Sequence, residues 1–173
     1  EHLQEAERRY ISDFFPNVRP VPALIANVHI RMGRLDEAGQ WARAVGIGSE
    51  DSLSHLREFE HKTLARLLLA LGDAGSVDRA LGLVERLAQA AAQGGRKRSL
   101  IDIHLLAALA HKSRHDSPAA VDALRRAIAL AEPERICRPF IDEGAGLVGL
   151  VGQLSRREAS STFVRSIALT EGG

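Results

Sequence analysis

The sequence predicts an all-α protein, a right-handed superhelical array of antiparallel helix pairs with about three to four repeats. Hydrophobic residues make up 45% of the 173 residues and aromatic residues only 4%. A composition rich in alanine and leucine favours closely packed helices over strands. Apolar residues recur at helical spacing, and Ala38, Ala80 and Ala120, at equivalent places in second helices, recur at about 40 residues.

Residues 1–22 are interpreted as an N-terminal helix followed by a proline-rich linker. The helix should cover residues 1–15 because its apolar positions are three or four apart. Those positions are Leu3, Ala6, Tyr10, Ile11 and Phe14. Pro16, Pro20 and Pro22 cannot continue a helix, and the last of them suits the first turn of the next one.

Residues 23–134 are expected to form three helix pairs. The expected first helices are residues 23–32, 55–71 and 99–113, and their partners are a helix around Trp41, residues 77–93 and residues 117–131. Ser54 is expected to cap the helix of residues 55–71, and Ser99 to open the helix of residues 99–113 as a capping-box variant.

Small residues recur where paired helices should approach each other. Ala26 and Gly33 of the first unit are matched by Ala65 and Gly72 of the second, and His115 stands at the corresponding turn of the third. A helix pair cannot bury both of its apolar faces alone and therefore stacks on copies of itself. The pattern is similar to a tetratricopeptide solenoid whose unit, roughly 34 residues in that class, is lengthened in its loops.

Residues 135–173 are interpreted as capping helices that lead to an absent domain. Residues 135–144 should be irregular, and shorter helices should cover residues 147–154 and 161–169. The start of the chain shows neither an initiator Met nor a signal peptide. We therefore expect a piece of a longer protein.

The cysteine content favours a cytoplasmic protein, and the charge content predicts no large net charge of either sign. The formal net charge is +1, from 23 basic and 22 acidic residues, so no overall field would attract nucleic acid or an anionic membrane. The single cysteine, Cys137, excludes an internal disulfide and fits a reducing compartment. We interpret it as an ordinary buried thiol. No apolar run is long enough to span a bilayer.

Two segments resemble a known family of regulators. Residues 131–144, AEPERICRPFIDEG, and residues 60–70, EHKTLARLLLA, are similar to the large ATP-dependent LuxR-type transcriptional regulators of the MalT-like group. Trp41 to Arg43 and Asp102 to Ala110 also fit that region. The resemblance covers residues 20–150.

The resemblance implies a sensor region between an ATP-binding switch module and a DNA-binding helix-turn-helix. The chain contains no G-x-x-x-x-G-K-[ST] phosphate loop, and nothing after Ser155 reads as the DNA-binding domain. ATP is therefore implied for the full-length protein only, and we expect no cofactor in this chain. We also expect no direct nucleic acid binding and no membrane contact, with self-association possible in the full-length regulator.

Five polar residues are candidates for a ligand or partner groove, because first helices line the concave face of such arrays. They are Asn27, Lys62, Arg66, Asp102 and Lys112. Lys62 and Arg66 are one helical turn apart, and a guanidinium can bind a carboxylate or phosphate through two parallel bonds. The alternative is a salt-bridged row of Glu58, Lys62, Arg66 and Asp102 that holds helices together.

Other candidate motifs are weaker. His111 and His115 have the i,i+4 spacing of metal ligands, but Lys112 stands where a zincin has its Glu and no third ligand is evident, so no metal site is expected. Arg96 to Arg98 precede a helix start but carry no interleaved aromatic residue, which favours a solvated loop. Trp41 is interpreted as a packing residue, with stacking on a sugar as the alternative.

No nucleophile, base and orienting group occur together, so we do not expect an enzyme. The leading hypothesis is a sensor or interaction domain that binds a small-molecule inducer or a regulatory protein. The alternative is a tetratricopeptide-like scaffold with no effector of its own.

Overall fold

The computed structural model describes residues 18–157, 162–164 and 167, and in these ranges the secondary structure is helical with no strand. This confirms the predicted all-α class. The α-helices are α1 Val21–Arg31, α2 Leu35–Val45, α3 Glu58–Leu71, α4 Ala74–Gln93, α5 Lys97–Ser113, α6 Ser117–Ala131, α7 Arg138–Glu143 and α8 Ala145–Arg157. Short 3-10 helices cover His55–Arg57 and Glu132–Glu134.

The same two-residue turn joins α1 to α2, α3 to α4, α4 to α5 and α5 to α6. It consists of a left-handed residue followed by the residue that opens the next helix. The left-handed positions are Gly33 (φ 72°), Gly72 (φ 75°), Gly95 (φ 63°) and His115 (φ 59°). At three of these turns the opening residue donates its N–H to the carbonyl five residues earlier, as Arg34 does to His29 at 2.9 Å. This is the Schellman arrangement. His115 therefore occupies the place of Gly72, as the repeat predicts.

The chain divides into two compact units, residues 1–83 and 84–173. In the first unit, α1 packs against both α2 and α3, and α2 also packs against α3. The predicted small residues lie where these helices meet, since Ala26 is 1% exposed and Ala38 and Ala65 are 0% exposed. Side chains of this size let helix backbones approach closely, which agrees with the tetratricopeptide-like prediction.

The second unit is centred on the pair α5 and α6, against which α7 and α8 pack. Phe140 and Phe163 meet edge to face in its core, with ring centroids 5.9 Å apart and planes at 84°. The region 135–144 is not wholly irregular as expected, because α7 covers Arg138–Glu143. Pro139 opens this helix, and burial of Phe140 against the core stabilises it.

The ends of several helices differ from the predicted ones. Ser54 caps as expected, but its Oγ accepts the Leu56 N–H at 3.3 Å in the 3-10 turn that precedes α3. Helix α5 begins at Lys97 rather than Ser99 because the turn at Gly95 already starts it. Pro22 lies in the first turn of α1 as expected. The predicted helix of residues 1–15 lies outside the described residues, as does most of residues 161–169.

Candidate functional site

Asn27 joins α1 to α3 within the first unit. Its side-chain amide donates a hydrogen bond of 2.8 Å to the Thr63 hydroxyl, which in turn donates to the Phe59 carbonyl at 2.9 Å. Thr63 is fully buried. The amide of Asn27 is thus already engaged in helix packing, and a ligand-binding role for this residue stays a prediction.

Lys62 lies among buried groups of α3. Its Nζ is 3.8 Å from Glu58 Oε1, and each of the two side chains is 8% exposed. This ion pair belongs to the salt-bridged row that was the alternative interpretation. Arg66, one turn further along α3, is half-buried. The structure therefore places Lys62 in a packed ion pair and leaves the binding role of Lys62 and Arg66 as a prediction.

The other two groove candidates lie in the second unit. Asp102 is half-buried on α5, and Lys112 is exposed near the end of the same helix. The ammonium of Lys112 donates to the carbonyl of Gly146 at 2.6 Å, which joins α5 to the start of α8. The sequence does not suggest this contact, because the two residues are 34 positions apart.

The histidines at the α5–α6 turn are involved in the turn itself. His111 Nδ1 is 3.9 Å from Asp116 Oδ2, and Asp116 Oδ1 accepts the Ala119 N–H at 3.1 Å as the cap of α6. Across the residues that the structure describes, no three or more His, Cys, Asp or Glu side chains are grouped so that they could hold a metal ion.

A cavity of about 340 Å³ opens between α1 and α2 of the first unit. Four residues of each helix line it: Pro22, Ile25, Ala26, His29, Glu37, Trp41, Ala44 and Val45. Its volume falls within the range of small-molecule sites. From the sequence, Trp41 is interpreted as a packing residue with stacking on a sugar as the alternative, and no cavity beside it is expected. The helical spacing of its lining residues could have indicated two facing stripes, but not that a space remains between them.

Trp41 and Glu37 set the polarity of this cavity. The indole of Trp41 is 9% exposed, and its Nε1 is buried without a hydrogen-bond partner. Glu37 Oε1 is 2.7 Å from a guanidinium nitrogen of Arg34. Hydrogen bonding to Arg34 lowers the pKa of Glu37, so this carboxylate is charged at neutral pH and already paired. The wall is thus mainly apolar, and the unpaired N–H of Trp41 is buried rather than open to solvent.

His61 is a second buried polar group in the first unit. The side chain is fully buried, and its Nδ1 lies 3.0 Å from the Arg57 carbonyl, to which it donates. The other ring nitrogen, Nε2, is buried without a partner. Burial lowers the pKa of His61, partly offset by the hydrogen bond to Arg57. The ring is therefore neutral at physiological pH.

Repeated helix pairs, small residues where the helices meet and recurrent two-residue turns define a tetratricopeptide-like helical-repeat protein. Residues 1–157 match the family described as "MalT-like TPR region". The chain belongs to that family, which confirms the resemblance found in the sequence. Comparison with curated proteins and with solved structures found no significant match. In the described ranges, no helix is both long and apolar enough to cross a membrane.

Proposed function

We propose that this chain is the sensor region of an ATP-dependent LuxR-type transcriptional regulator. The observation that carries the proposal is the family match over residues 1–157, together with the tetratricopeptide-like helix pairs. The resemblance implies an ATP-binding switch module and a promoter-binding domain in the full-length protein. The chain itself acts by binding, in the cytoplasm, and not by catalysis; measurable turnover by the isolated chain would contradict this.

The proposed mechanism is a population shift. An inducer or a regulatory protein that prefers one arrangement of the helix pairs favours that arrangement in proportion to its difference in affinity. The full-length regulator then changes its DNA-binding activity because the helical region and the switch module are linked. Isothermal titration should detect the effector with the full-length protein, and removal of this region should abolish the response. An inducible protein lacking it would contradict the proposal.

A second candidate function, a scaffold with no effector, is favoured by the ion pair between Lys62 and Glu58. Charge reversal at Lys62 and Arg66 separates the two functions. In the sensor, Lys62→Glu with Arg66→Glu should weaken induction of the full-length protein beyond its loss of stability. In the scaffold, stability falls and induction is unchanged. Arg98→Glu is the matched control because Arg98 is an exposed cation at the start of α5.

A further inference from the structure

Helix α1 is apolar on all sides but only partly covered. Eight of its eleven residues are apolar, and none is acidic. A helix with this composition is normally enclosed by the protein, yet within the described part of the chain only Ala23 and Ala26 of α1 are buried. In α3, the first helix of the next pair, nine of the fourteen residues are buried. The described structure therefore leaves one face of α1 open.

The open face carries large apolar side chains. Val28 is 38% exposed and Met32, directly after α1, is 64% exposed. They are one helical turn apart and lie on the same side of the helix. Each follows a cavity-lining residue, Ile25 or His29, by three positions and so lies beside it. The exposed side chains and the cavity thus form one surface, the α1 face.

The size of the α1 face suits a single partner helix. An eleven-residue helix is about 16 Å long, so a few side chains at spacings of three and four along a partner helix can contact it. The adjoining cavity of about 340 Å³ can hold one larger apolar side chain as an anchor. Amphipathic helices bind grooves in this way.

The charge beside the α1 face favours an acidic partner. Arg31 is exposed and follows Val28 by three residues, so it lies next to the apolar side chains. Among the described residues no carboxylate pairs with Arg31, whereas Arg34 is paired with Glu37 at 2.7 Å. A partner carboxylate would meet an uncompensated guanidinium, and a partner cation would be repelled.

A second copy of the chain does not supply this carboxylate from the same face. In a two-fold dimer the same surface of both chains meets. Helix α1 has no acidic residue, and Glu37 in the cavity wall is already paired. The charge therefore favours a different helix as the partner.

We propose that the α1 face binds an acidic amphipathic helix of a regulatory protein. Apolar side chains of that helix cover Val28 and Met32, one of them enters the cavity, and a carboxylate pairs with Arg31. The assignment rests on the proposed sensor function in that it names the kind of partner. It uses none of the five groove residues expected from the sequence.

Three alanine-based peptides test the proposal with the whole 173-residue chain. Each has about 18 residues, above the length at which isolated helices become marginal. The first has leucines three and four residues apart beside glutamates, the second has lysines for the glutamates, and the third has serines for the leucines. Titration of labelled peptides at low salt should show the first binding roughly two- to fivefold more tightly than the second, and the third not binding. Equal affinity of the first two peptides would overturn the proposal, as would no binding of the first.

Trp41 reports whether the anchor enters the cavity. It is the single tryptophan of the chain and lines the cavity, and the peptides contain no aromatic residue. The unlabelled first peptide should therefore change the Trp41 emission. An emission that stays the same at saturation would contradict the site.

A variant in the exposed apolar side chains assigns the binding to the α1 face. Met32→Gln removes an apolar contact without adding a charge and should weaken binding of the first peptide about fivefold or more. Leu71→Gln makes the same kind of change at the end of α3, where Leu71 is 48% exposed, and should leave the affinity unchanged. Equal losses in the two variants would mean that the peptide does not recognise the α1 face.

A charge reversal tests the carboxylate. Arg31→Glu should reverse the preference, so that the lysine peptide binds more tightly than the glutamate peptide. Arg98→Glu, at an exposed cation of α5, is the control and should keep the original preference. A preference that Arg31→Glu does not alter would contradict the pairing.

Sedimentation equilibrium of the chain alone tests the other occupant. A chain that dimerises, and that Met32→Gln makes monomeric, would show that a second copy covers the α1 face and would overturn the proposal.

The surface and the sensor function fail in different ways. If the first peptide binds as expected but Met32→Gln leaves the response of the full-length regulator unchanged, the surface stands and its role in regulation is wrong. If the peptide does not bind while the full-length protein still responds through this region, the sensor function stands and the assignment of the α1 face is wrong.

Discussion

The amide of Asn27 on α1 donates a 2.8 Å hydrogen bond to the hydroxyl of Thr63 on α3, and so couples the first helices of two successive repeats. Thr63→Val keeps the side-chain shape but removes the acceptor and should reduce the free energy of unfolding by about 1–3 kcal/mol. Urea denaturation measures this. Thr63→Ser retains the hydroxyl and is the control for the hydrogen bond.

A double-mutant cycle isolates the contact itself. Asn27→Ala and Thr63→Val should show a coupling energy of about 0.5–1.5 kcal/mol. Either substitution alone breaks the hydrogen bond, so adding the other loses no further hydrogen bond. Strict additivity of the two free-energy changes would mean that the hydrogen bond contributes nothing to stability.

Substitutions at two left-handed turn residues should change the free energy of unfolding in opposite directions. His115 has a φ of 59° and Gly72 a φ of 75°, a region that costs a side-chain-bearing residue about 1–2 kcal/mol. His115→Gly should therefore raise the free energy of unfolding by up to about 1 kcal/mol, since the greater flexibility of glycine in the unfolded chain offsets part of the gain. Gly72→Ala should lower it by about 1 kcal/mol although nothing lies within 4 Å of the added carbon. Thermal unfolding measures both, and a destabilised His115→Gly would point to a contact made by the imidazole.

Two glycines of α8 form a matched pair. A Cβ added at Gly149 meets nothing within 4 Å, whereas one added at Gly146 comes within 2.8 Å of Leu109 Cδ2. Gly149→Ala should stabilise the chain by about 0.5–1 kcal/mol through helix propensity. Gly146→Ala should lose that gain because Leu109 must shift, so its free energy of unfolding should be about 1–2 kcal/mol below that of Gly149→Ala. Equal stability of the two variants would show that Leu109 moves at no cost.

Stability should fall with acidification because of His61. Burial lowers the pKa of His61 in the folded chain, so below the ordinary histidine pKa of about 6.5 the unfolded chain binds more protons than the folded one. The stabilisation is complete above that pH and is lost as the pH falls towards the lowered folded-state pKa. The slope from this group can reach about 1.4 kcal/mol per pH unit.

Urea denaturation between pH 7.5 and 5 tests this dependence. His61→Leu should flatten the profile because it removes the buried titrating group. His104, whose pKa is also lowered by burial and by Arg126, contributes in the same direction, so His104→Gln should remove only its own part. If the free energy of unfolding of the double variant His61→Leu/His104→Gln still falls with pH as steeply as that of the unaltered chain, other groups cause the acid sensitivity.

Local sequence signals are sufficient to predict the helix pairs and their repetition. Apolar spacing, prolines in first turns and left-handed glycines act through residues within a few positions of each other, and these local signals placed α3, α4 and α6 nearly as the structure has them. The segment 131–144 also pointed to the family that the match over residues 1–157 shows. The helix α7 was missed because burial of Phe140, a long-range effect, stabilises so short a helix.

The polar residues engaged in packing, and the position of the cavity, depend on contacts between residues that are far apart in the sequence. Lys62 falls on a face that the repeat pattern assigns to the open groove, yet its ion pair with Glu58 is buried. The hydrogen bond from Asn27 to Thr63 spans 36 residues, and the cavity beside Trp41 depends on how closely α1 and α2 approach. Helical periodicity specifies which face a side chain lies on. Burial and pairing depend on distant segments whose positions only the packed chain determines.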